Sequence, residues 1–297
     1  MKLGHFEMPE PLPEMKDPHV LAVLRPWIDV GSVGTLTLSR LERHLRAKEI
    51  GRMGQPGLFY DFTRYRPRSV ITEGKREFNV PNTSVRHAPL PEGPDLLFVH
   101  LLEPHLNGEG YVETMLEVFE HLGVKKYSLI GGMYDMVPHT RPLLVSGVGV
   151  GSGVEEENRL VKVRASNYEG PTTITYLIGQ GAAQRGVETR IYVVHLPQYF
   201  QLDEDFTGTA RLMEILCTLY KLPEHLIEAD RGREQYESLR DMVDDESGVS
   251  SLLQRLEERY DEEQREPDGT GGTTSPLAPN IEEFLMDLDR GFGPSDP

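Results

Sequence analysis

Apolar residues along this chain fall into short continuous runs and into patterns that repeat every three or four positions. The continuous runs have the length and the flanking prolines or glycines of buried strands, and they cover residues 20–25, 96–102 and 127–130. Residues 187–197 predict another strand. The repeating patterns place apolar side chains on one face of a helix, and they cover residues 38–45, 109–122, 174–182 and 206–220. Strands that alternate with helices predict an α/β fold.

Three further segments have weaker patterns. Residues 57–62, GLFYDF, predict another strand, and residues 70–90 alternate around Pro81, which predicts a β-ribbon or edge strands. Residues 146–158, SGVGVGSGVEEEN, have glycines at a spacing that matches neither a dinucleotide-binding nor a phosphate-binding loop. They therefore predict a mobile surface turn.

Acidic residues are concentrated toward the C-terminal end of the chain. Residues 223–297 carry 21 Asp and Glu against 7 Lys and Arg, whereas residues 1–222 carry 27 against 24. A chain without a basic footprint is not expected to bind nucleic acid. Within the acidic part, apolar spacing predicts helices at 224–244 and 249–260.

The folded domain is predicted to end near residue 262. Residues 1–262 form a single α/β domain, and its last part, about 205–262, is a helical extension. Residues 263–297 form a flexible acidic tail that begins with a linker rich in Gly, Thr and Pro, 263–279. Within that tail, residues 280–289, NIEEFLMDLD, predict a short amphipathic segment.

The cysteine content and the apolar content bear on the compartment. Cys217 is the only cysteine, so no internal disulfide forms, and a reducing cytoplasmic compartment is expected. No apolar run approaches the ~20 residues that a membrane span requires. The N-terminal stretch MKLGHFEMPEPLPEM lacks the apolar region of a signal peptide. Neither a membrane anchor nor secretion is expected.

The densest candidate chemistry follows the strand at 127–130. The segment GGMYDMVPHTRP combines an acid, an imidazole, a hydroxyl and a guanidinium in a loop stiffened by two prolines, namely Asp135, His139, Thr140 and Arg141. Two interpretations remain open. The loop presents His139 and Arg141 to a ligand, or Arg141 fastens the loop to the fold as a structural latch.

Other predicted element ends carry further candidates. Asp29 follows the first strand, where it is either an acid or a cap for the next helix. Asp61 and Arg66 belong to a charged cluster that holds an anion or pairs internally. Gly170 and Pro171 open a predicted helix with Pro171 at its first position, so that free amides face an anion.

Ion pairing is expected where the strands end, with Asp29, Asp61 and Asp135 competing for Arg66 and Arg141. The sequence contains no nucleotide-binding loop, no metal-ligand spacing and no nucleophile–base motif. No cofactor or metal is therefore expected, and efficient hydrolase or ligase chemistry is not predicted.

Four motifs together resemble one known family. PWIDVGSVG, YDFTRYRP, VPHTRP and YEGPTTI occur in this order, and the combination resembles the proteasome assembly chaperone 2 family over about residues 20–262. Matched to the family's motifs are Asp29, Gly31, Asp61, Arg66, His139, Thr140, Arg141, Gly170 and Pro171. The family supplies no agreed catalytic role for these positions.

The resemblance implies a three-layer α/β/α domain with a mixed sheet, of the phosphorylase/hydrolase-like kind, together with the acidic C-terminal helices. It also implies a homo-oligomer, commonly a trimer, that acts as a chaperone on a protein client or a proteasome-related partner. Members of the family can dock on the proteasome through a C-terminal hydrophobic–tyrosine–any tripeptide. This chain ends Ser295-Asp296-Pro297, so docking by that route is not expected.

Two functions from different classes remain. The first is a non-catalytic assembly protein whose loops hold an oligomer together. The second is an enzyme similar to nucleoside phosphorylases, with Arg66 or Arg141 on phosphate and His139 or Asp29 as acid or base. The lack of a recognisable nucleophile or metal motif favours the first, whereas charged residues at successive strand ends favour the second.

Overall fold

The computed structural model describes residues 1–166, 168–199, 201–244 and 247–265. Within these residues the strands are β1 (Lys2–Leu3), β2 (Phe6–Glu7), β3 (His19–Arg25), β4 (Lys48–Met53), β5 (Arg68–Thr72), β6 (Lys75–Asn79), β7 (Ser84–Ala88), β8 (Leu96–Leu102), β9 (Lys126–Asp135), β10 (Val145–Val150), β11 (Arg164–Ala165) and β12 (Glu188–Pro197). The helices are α1 (Val33–Leu45), α2 (Gly108–His121), α3 (Val154–Leu160), α4 (Ile174–Gln184), α5 (Phe206–Tyr220), α6 (Ala229–Asp244) and α7 (Ser247–Arg265).

A mixed sheet occupies the centre of the fold, with strands in the order β1-β2-β4-β7-β8-β3-β9-β12-β10-β11. The four central strands, β8, β3, β9 and β12, are parallel to one another. Antiparallel strands flank them, β7 and β4 on one side and β10 on the other. Because parallel strands are buried on both faces, their sequences read as continuous apolar runs.

Each face of the sheet is covered by its own helices. Alternate residues of a strand point to opposite faces, so Val20 and Leu24 join a core with α2 and α4, whereas Leu21 and Val23 join a core with α1 and α5. Full burial of one such side chain contributes about 1.5–3 kcal/mol. The prediction of a three-layer α/β/α fold with a mixed sheet is confirmed.

Two predicted elements are wrong. Residues 57–62 do not form a strand, because Pro56 starts a short 3₁₀ helix (Pro56–Leu58) and turns follow it. Residues 146–158 form most of β10 and α3 rather than a mobile turn. The glycines of β10 are explained by close packing, since a Cβ on Gly147 would lie 2.3 Å from the backbone oxygen of Ile191 in β12.

The paired glycines of the central motif lie inside β9, not after it. A Cβ on Gly131 would lie 1.9 Å from the backbone oxygen of Ile28, so only glycine fits there. The close approach lets the loop after β3 run beside β9, where Asp29 and Gly132 form an isolated parallel bridge.

The acidic C-terminal helices are present as α6 and α7. α7 continues to Arg265, three residues into the segment predicted to be a linker. The rest of that linker and the amphipathic segment at 280–289 lie outside the described residues. Among the described helices, none is both long enough and apolar enough to cross a membrane.

Residues 68–79 form a separate two-stranded ribbon, β5–β6, which does not join the main sheet. Most of its side chains are exposed, including Ile71 and Phe78. The β-ribbon predicted within residues 70–90 is confirmed, whereas β7 lies inside the main sheet, between β4 and β8, and not at its edge.

Candidate functional site

The C-terminal ends of the parallel strands bring several predicted loops to one edge of the sheet. β3, β8, β9 and β12 end at Arg25, Leu102, Asp135 and Pro197. Ligand sites of α/β proteins lie outside this edge, because helix N-termini and variable loops meet there.

Asp29, at the end of the loop after β3, contacts the start of α1. Its Oδ1 accepts hydrogen bonds from the Gly34 amide at 2.8 Å and the Thr35 amide at 3.0 Å, and its Oδ2 accepts from the Thr35 hydroxyl at 2.6 Å. Burial raises the pKa of Asp29, and the hydrogen bonds from Thr35 and Gly34 oppose that rise. These contacts are those of a helix cap.

Arg141, in the loop after β9, binds the C-terminal helix α7. Its Nε and Nη2 donate to the two carboxylate oxygens of Asp261 at 3.0 and 2.9 Å, and its Nη1 donates to Glu257 at 3.3 Å. Thr140 also donates to Glu257, and the Tyr260 hydroxyl donates to the Pro142 carbonyl at 2.9 Å. The bidentate geometry is that of a latch between loop and helix.

His139 contacts the loop that follows β12. Its backbone amide donates to the Tyr199 hydroxyl at 2.7 Å, and the same hydroxyl lies 2.9 Å from the His139 Nδ1. The phenol oxygen accepts from the amide, and the hydroxyl group forms a second hydrogen bond with the imidazole. Burial raises the pKa of Tyr199 to about 12, so this phenol stays protonated and holds the two loops together.

Asp135, the last residue of β9, is hydrogen-bonded to a histidine on the next strand. The His195 Nδ1 lies 2.7 Å from the Asp135 Oδ2, and the His195 Nε2 lies 2.8 Å from the Ser146 Oγ. Burial alone would raise the pKa of Asp135, but hydrogen bonds from His195 and the Met136 amide hold it below its usual value. Three adjacent strands, β9, β12 and β10, thus align an acid, an imidazole and a hydroxyl.

Asp61 and Arg66 lie in the turns before the ribbon. The Asp61 Oδ1 accepts from the amide and the hydroxyl of Thr63 at 2.8 and 2.7 Å, and the Asp61 amide donates to the His105 Nδ1 at 3.3 Å. Hydrogen bonds from Thr63 lower the pKa of Asp61. Arg66 is exposed and donates to the Thr63 carbonyl at 3.4 Å.

The expected pairing of three aspartates with Arg66 and Arg141 is wrong. Asp29 caps α1, Asp61 binds Thr63, and Asp135 binds His195. The ion pairs of Arg141 are with Glu257 and Asp261. The physical reason is distance in the sequence, since α7 lies more than a hundred residues beyond the loop and its carboxylates reach the guanidinium through tertiary packing.

Gly170 and Pro171 precede α4 by several residues, so the prediction that Pro171 is the first helical residue is wrong. α4 begins at Ile174. The Pro171 carbonyl accepts a hydrogen bond from the Tyr168 hydroxyl at 2.8 Å. The Ile174 amide, at the start of the helix, donates to the Glu103 carboxyl group at 3.0 Å, so the protein supplies its own hydrogen-bond acceptor there.

Asp205 lies just before α5 and is fully buried. It was not among the candidates predicted from the sequence. Its carboxylate accepts from the Gly208 amide at 2.7 Å and from the Tyr236 hydroxyl at 2.8 Å. Burial raises the pKa of Asp205, against the effect of these two bonds. An Asp in front of an apolar helical pattern is the N-cap signature, and that signal was available in the sequence.

Ser146, His195 and Glu103 were also missed. Each lies within or just after a strand whose apolar character was the only feature interpreted. A polar residue inside such a run is a signal, because it needs a partner when buried. Its partner, however, is set by strand order, which the sequence pattern does not reveal.

The described part of the chain has no group of three or more His, Cys, Asp or Glu side chains arranged to hold a metal ion. The phosphorylase-like alternative is not favoured by the contacts. Its proposed phosphate ligand Arg141 faces two carboxylates of α7, and its proposed base Asp29 caps α1.

Comparison with solved structures identifies relatives of similar fold. A PAC2 family protein from Streptomyces avermitilis has a TM-score of 0.70 and 25% identity, covering 80% of this chain and 100% of that chain. A proteasome-assembly chaperone homologue from Mycobacterium tuberculosis has a TM-score of 0.69 and 20% identity, covering 79% and 99%. PbaB of Pyrococcus furiosus, an archaeal proteasome activator, has a TM-score of 0.60 and 16% identity, covering 80% and 97%.

No curated protein matches the chain. The sequence profile of the PAC2 family matches residues 23–245, about three quarters of the chain. This match includes every motif that carried the resemblance seen in the sequence. The chain therefore belongs to the PAC2 family.

Proposed function

We propose that this protein is a chaperone-like subunit that assembles with copies of itself, as a trimer, and binds a proteasome-related protein partner. Two of its structural relatives are named for proteasome assembly or proteasome activation. Cys217 is a buried free thiol, which suits a reducing compartment, and we place the protein in the cytoplasm on that ground.

The observation that carries the proposal is the exposed β5–β6 ribbon. Ile71 and Phe78 are 69% and 67% exposed. The strand register pairs Ile71 with Arg76 and Ser69 with Phe78, so both apolar side chains lie on the same face of the ribbon. An isolated two-stranded ribbon is marginally stable in water, and burial of this face against another chain stabilises it.

Charge favours a second copy of this chain as the occupant of that face. Residues 64–79 carry five Lys and Arg against two Glu, whereas the whole chain has a net charge of −17. A basic arm on an acidic protein is complementary to the acidic surface of a neighbouring copy. In a closed ring each copy then gives one ribbon and receives one.

Light scattering of the full chain tests the assembly. The wild type is expected to have the mass of a trimer at micromolar concentration, and the double variant Ile71→Asp, Phe78→Asp is expected to be a monomer. Leu160→Asp is the matched control, because Leu160 is 62% exposed on α3, outside the ribbon. A monomeric wild type, or a ribbon variant that assembles like the wild type, contradicts the proposal.

Partner binding is tested separately by sedimentation of the protein with purified proteasome ring subunits. We expect the ring subunits to co-sediment with the wild type and not with the ribbon variant. If the wild type forms trimers that do not bind the ring subunits, the proposed assembly stands and the proposed proteasome-related partner is wrong.

A further inference from the structure

We propose that Ser146, His195 and Asp135 form a hydrolytic triad that cleaves small carboxylic esters, an activity distinct from the protein binding proposed above. The three residues are 11 and 49 positions apart in the order Asp, Ser, His, so no local motif marks them. They meet because β9, β12 and β10 are adjacent in the sheet.

The distances are those of a nucleophile, a base and an orienting acid. The Ser146 Oγ lies 2.8 Å from the His195 Nε2, and the His195 Nδ1 lies 2.7 Å from the Asp135 Oδ2. Both separations are within hydrogen-bond reach, which is the geometric requirement for an activated serine. The side chains of His195 and Asp135 are 16% and 31% exposed, and Ser146 is half-buried, so a small substrate has access.

The charge on Asp135 sets the tautomer of the imidazole. An ionised carboxylate only accepts hydrogen bonds, so the His195 Nδ1 carries the proton and the Nε2 is free to accept from the Ser146 hydroxyl. The strands fix these orientations, because the His195 amide also donates to the Leu144 carbonyl at 2.9 Å beside Ser146. The imidazole is therefore held in the form that acts as general base.

The surface beside Ser146 suits a short aliphatic acyl group. Val148 and Val150 follow Ser146 at intervals of two along β10, so they share its face of the sheet, and they are 41% and 57% exposed. On the next strand Ile191 pairs in register with Val148 and is half-buried. These side chains form an apolar strip that starts at the nucleophile.

A cation lies on the other side of Ser146. Arg164 of β11 pairs in register with Ser146 in a parallel ladder, so its side chain leaves the sheet on the same face. A cationic residue therefore emerges from the strand next to the nucleophile, on the same face of the sheet.

The reaction proceeds in two balanced steps. The Ser146 Oγ forms a bond to the acyl carbon while its proton passes to the His195 Nε2, and the bond to the alcohol oxygen breaks as the alcohol takes that proton. Water then attacks the acyl-serine ester and gives a proton to His195. The carboxylic acid leaves, and the proton returns to the Ser146 oxygen.

A fluorophosphonate probe on the full chain, followed by peptide mass spectrometry, tests the nucleophile. We expect the label on Ser146, no label in Ser146→Ala, and slower labelling in His195→Gln and Asp135→Asn. Ser152→Ala is the matched control, since Ser152 lies just beyond β10 and donates to Glu188 rather than to a histidine. It is expected to label like the wild type.

Hydrolysis of p-nitrophenyl acetate and butyrate tests the reaction and the acyl strip. We expect kcat/KM to fall at least about 100-fold in Ser146→Ala, and Val148→Asp to reduce the preference for butyrate over acetate. Circular dichroism checks that each variant is folded. If His195→Gln does not fold, Asp135→Asn is used in its place to test the base and its orienting acid. An unlabelled Ser146, or hydrolysis unchanged in Ser146→Ala, overturns the proposal, whatever the oligomeric state.

Discussion

Glu103 shows how one half-buried carboxylate ties the sheet edge to a helix. It follows β8, its carboxylate accepts from the Ile174 amide at the start of α4, and its carbonyl accepts from the Tyr65 hydroxyl at 3.2 Å. Burial raises the pKa of Glu103 to about 7, although the hydrogen bond from Ile174 acts in the opposite direction. At neutral pH this residue is therefore partly protonated.

The raised pKa of Glu103 predicts a pH-dependent stability. The folded state keeps the proton up to about pH 7, whereas the unfolded state releases it near its ordinary value of 4.5. The contribution to the free energy of unfolding is therefore fully present below about pH 4.5 and is lost as the pH rises through 7. Allowing for partial exposure, the loss is about 1–2 kcal/mol.

Denaturant titrations at pH 5 and pH 8 of wild type and Glu103→Gln check this prediction. Gln keeps the acceptor for Ile174 and cannot ionise, so the variant is expected to lack this part of the pH dependence. Glu120→Gln, exposed on α2, controls for the loss of one negative charge. Equal pH dependence in wild type and Glu103→Gln contradicts the prediction.

At the scale of elements, α7 and the loop after β9 stabilise each other. The helix buries Leu256 and contributes Glu257, Asp261 and Tyr260 to the loop. Ion pairs near solvent contribute little to global stability, but several contacts between one helix and one loop fix their relative position. The latch interpretation of Arg141 is the one these contacts support.

Arg141→Ala is expected to release α7 while leaving the sheet intact. Asp261 and Glu257 lose their donor, so the helix opens more often and its amides exchange several-fold faster, with little change in the melting temperature. Hydrogen exchange read by mass spectrometry measures this. Arg185→Ala is the control, because Arg185 forms a comparable exposed pair with Glu113 at 2.7 Å. Unchanged exchange in α7 would rule out the latch.

The sequence predicted the secondary-structure elements better than the tertiary contacts between them. β3 and β8 were predicted because burial on both faces makes a strand continuously apolar, and β12 was predicted although polar residues interrupt its apolar run. β10 was not predicted, because close packing against β12 requires glycines that resemble a turn. The cap at Asp29 was among the predicted alternatives, since capping is local.

The contacts of the proposed triad and the partners of the Arg141 latch could not be predicted from local pattern. Ser146 and His195 meet through the register of two antiparallel strands, 49 residues apart. Arg141 meets Asp261 at a separation of 120 residues. Strand order and helix docking are decided by the sum of apolar burial over the whole core, so no short stretch encodes either contact.

At the scale of the whole molecule, the net charge opposes association of copies, and the basic ribbon reduces that opposition locally. The chain has a net charge of −17, whereas residues 64–79 carry five Lys and Arg against two Glu. Net charge of one sign keeps a protein soluble but opposes association. A basic ribbon that reaches a neighbouring acidic surface offsets this repulsion, and the apolar side chains of Ile71 and Phe78 add burial once the surfaces meet.

The assembly is therefore expected to be sensitive to salt and to ribbon charge. Ions screen exposed charges, with a screening length that falls from about 14 Å at 50 mM salt to about 4 Å at 500 mM. We expect the dissociation constant between copies to rise roughly tenfold over this range, as measured by sedimentation equilibrium.

The double variant Arg68→Glu, Lys75→Glu is expected to dissociate already at 50 mM salt. Lys125→Glu is the control, because Lys125 is exposed outside the ribbon, and it is expected to assemble like the wild type. If salt leaves the wild-type assembly unchanged, or if Lys125→Glu dissociates to the same extent as the ribbon variant, specific docking of the basic ribbon is wrong and the copies associate through another surface.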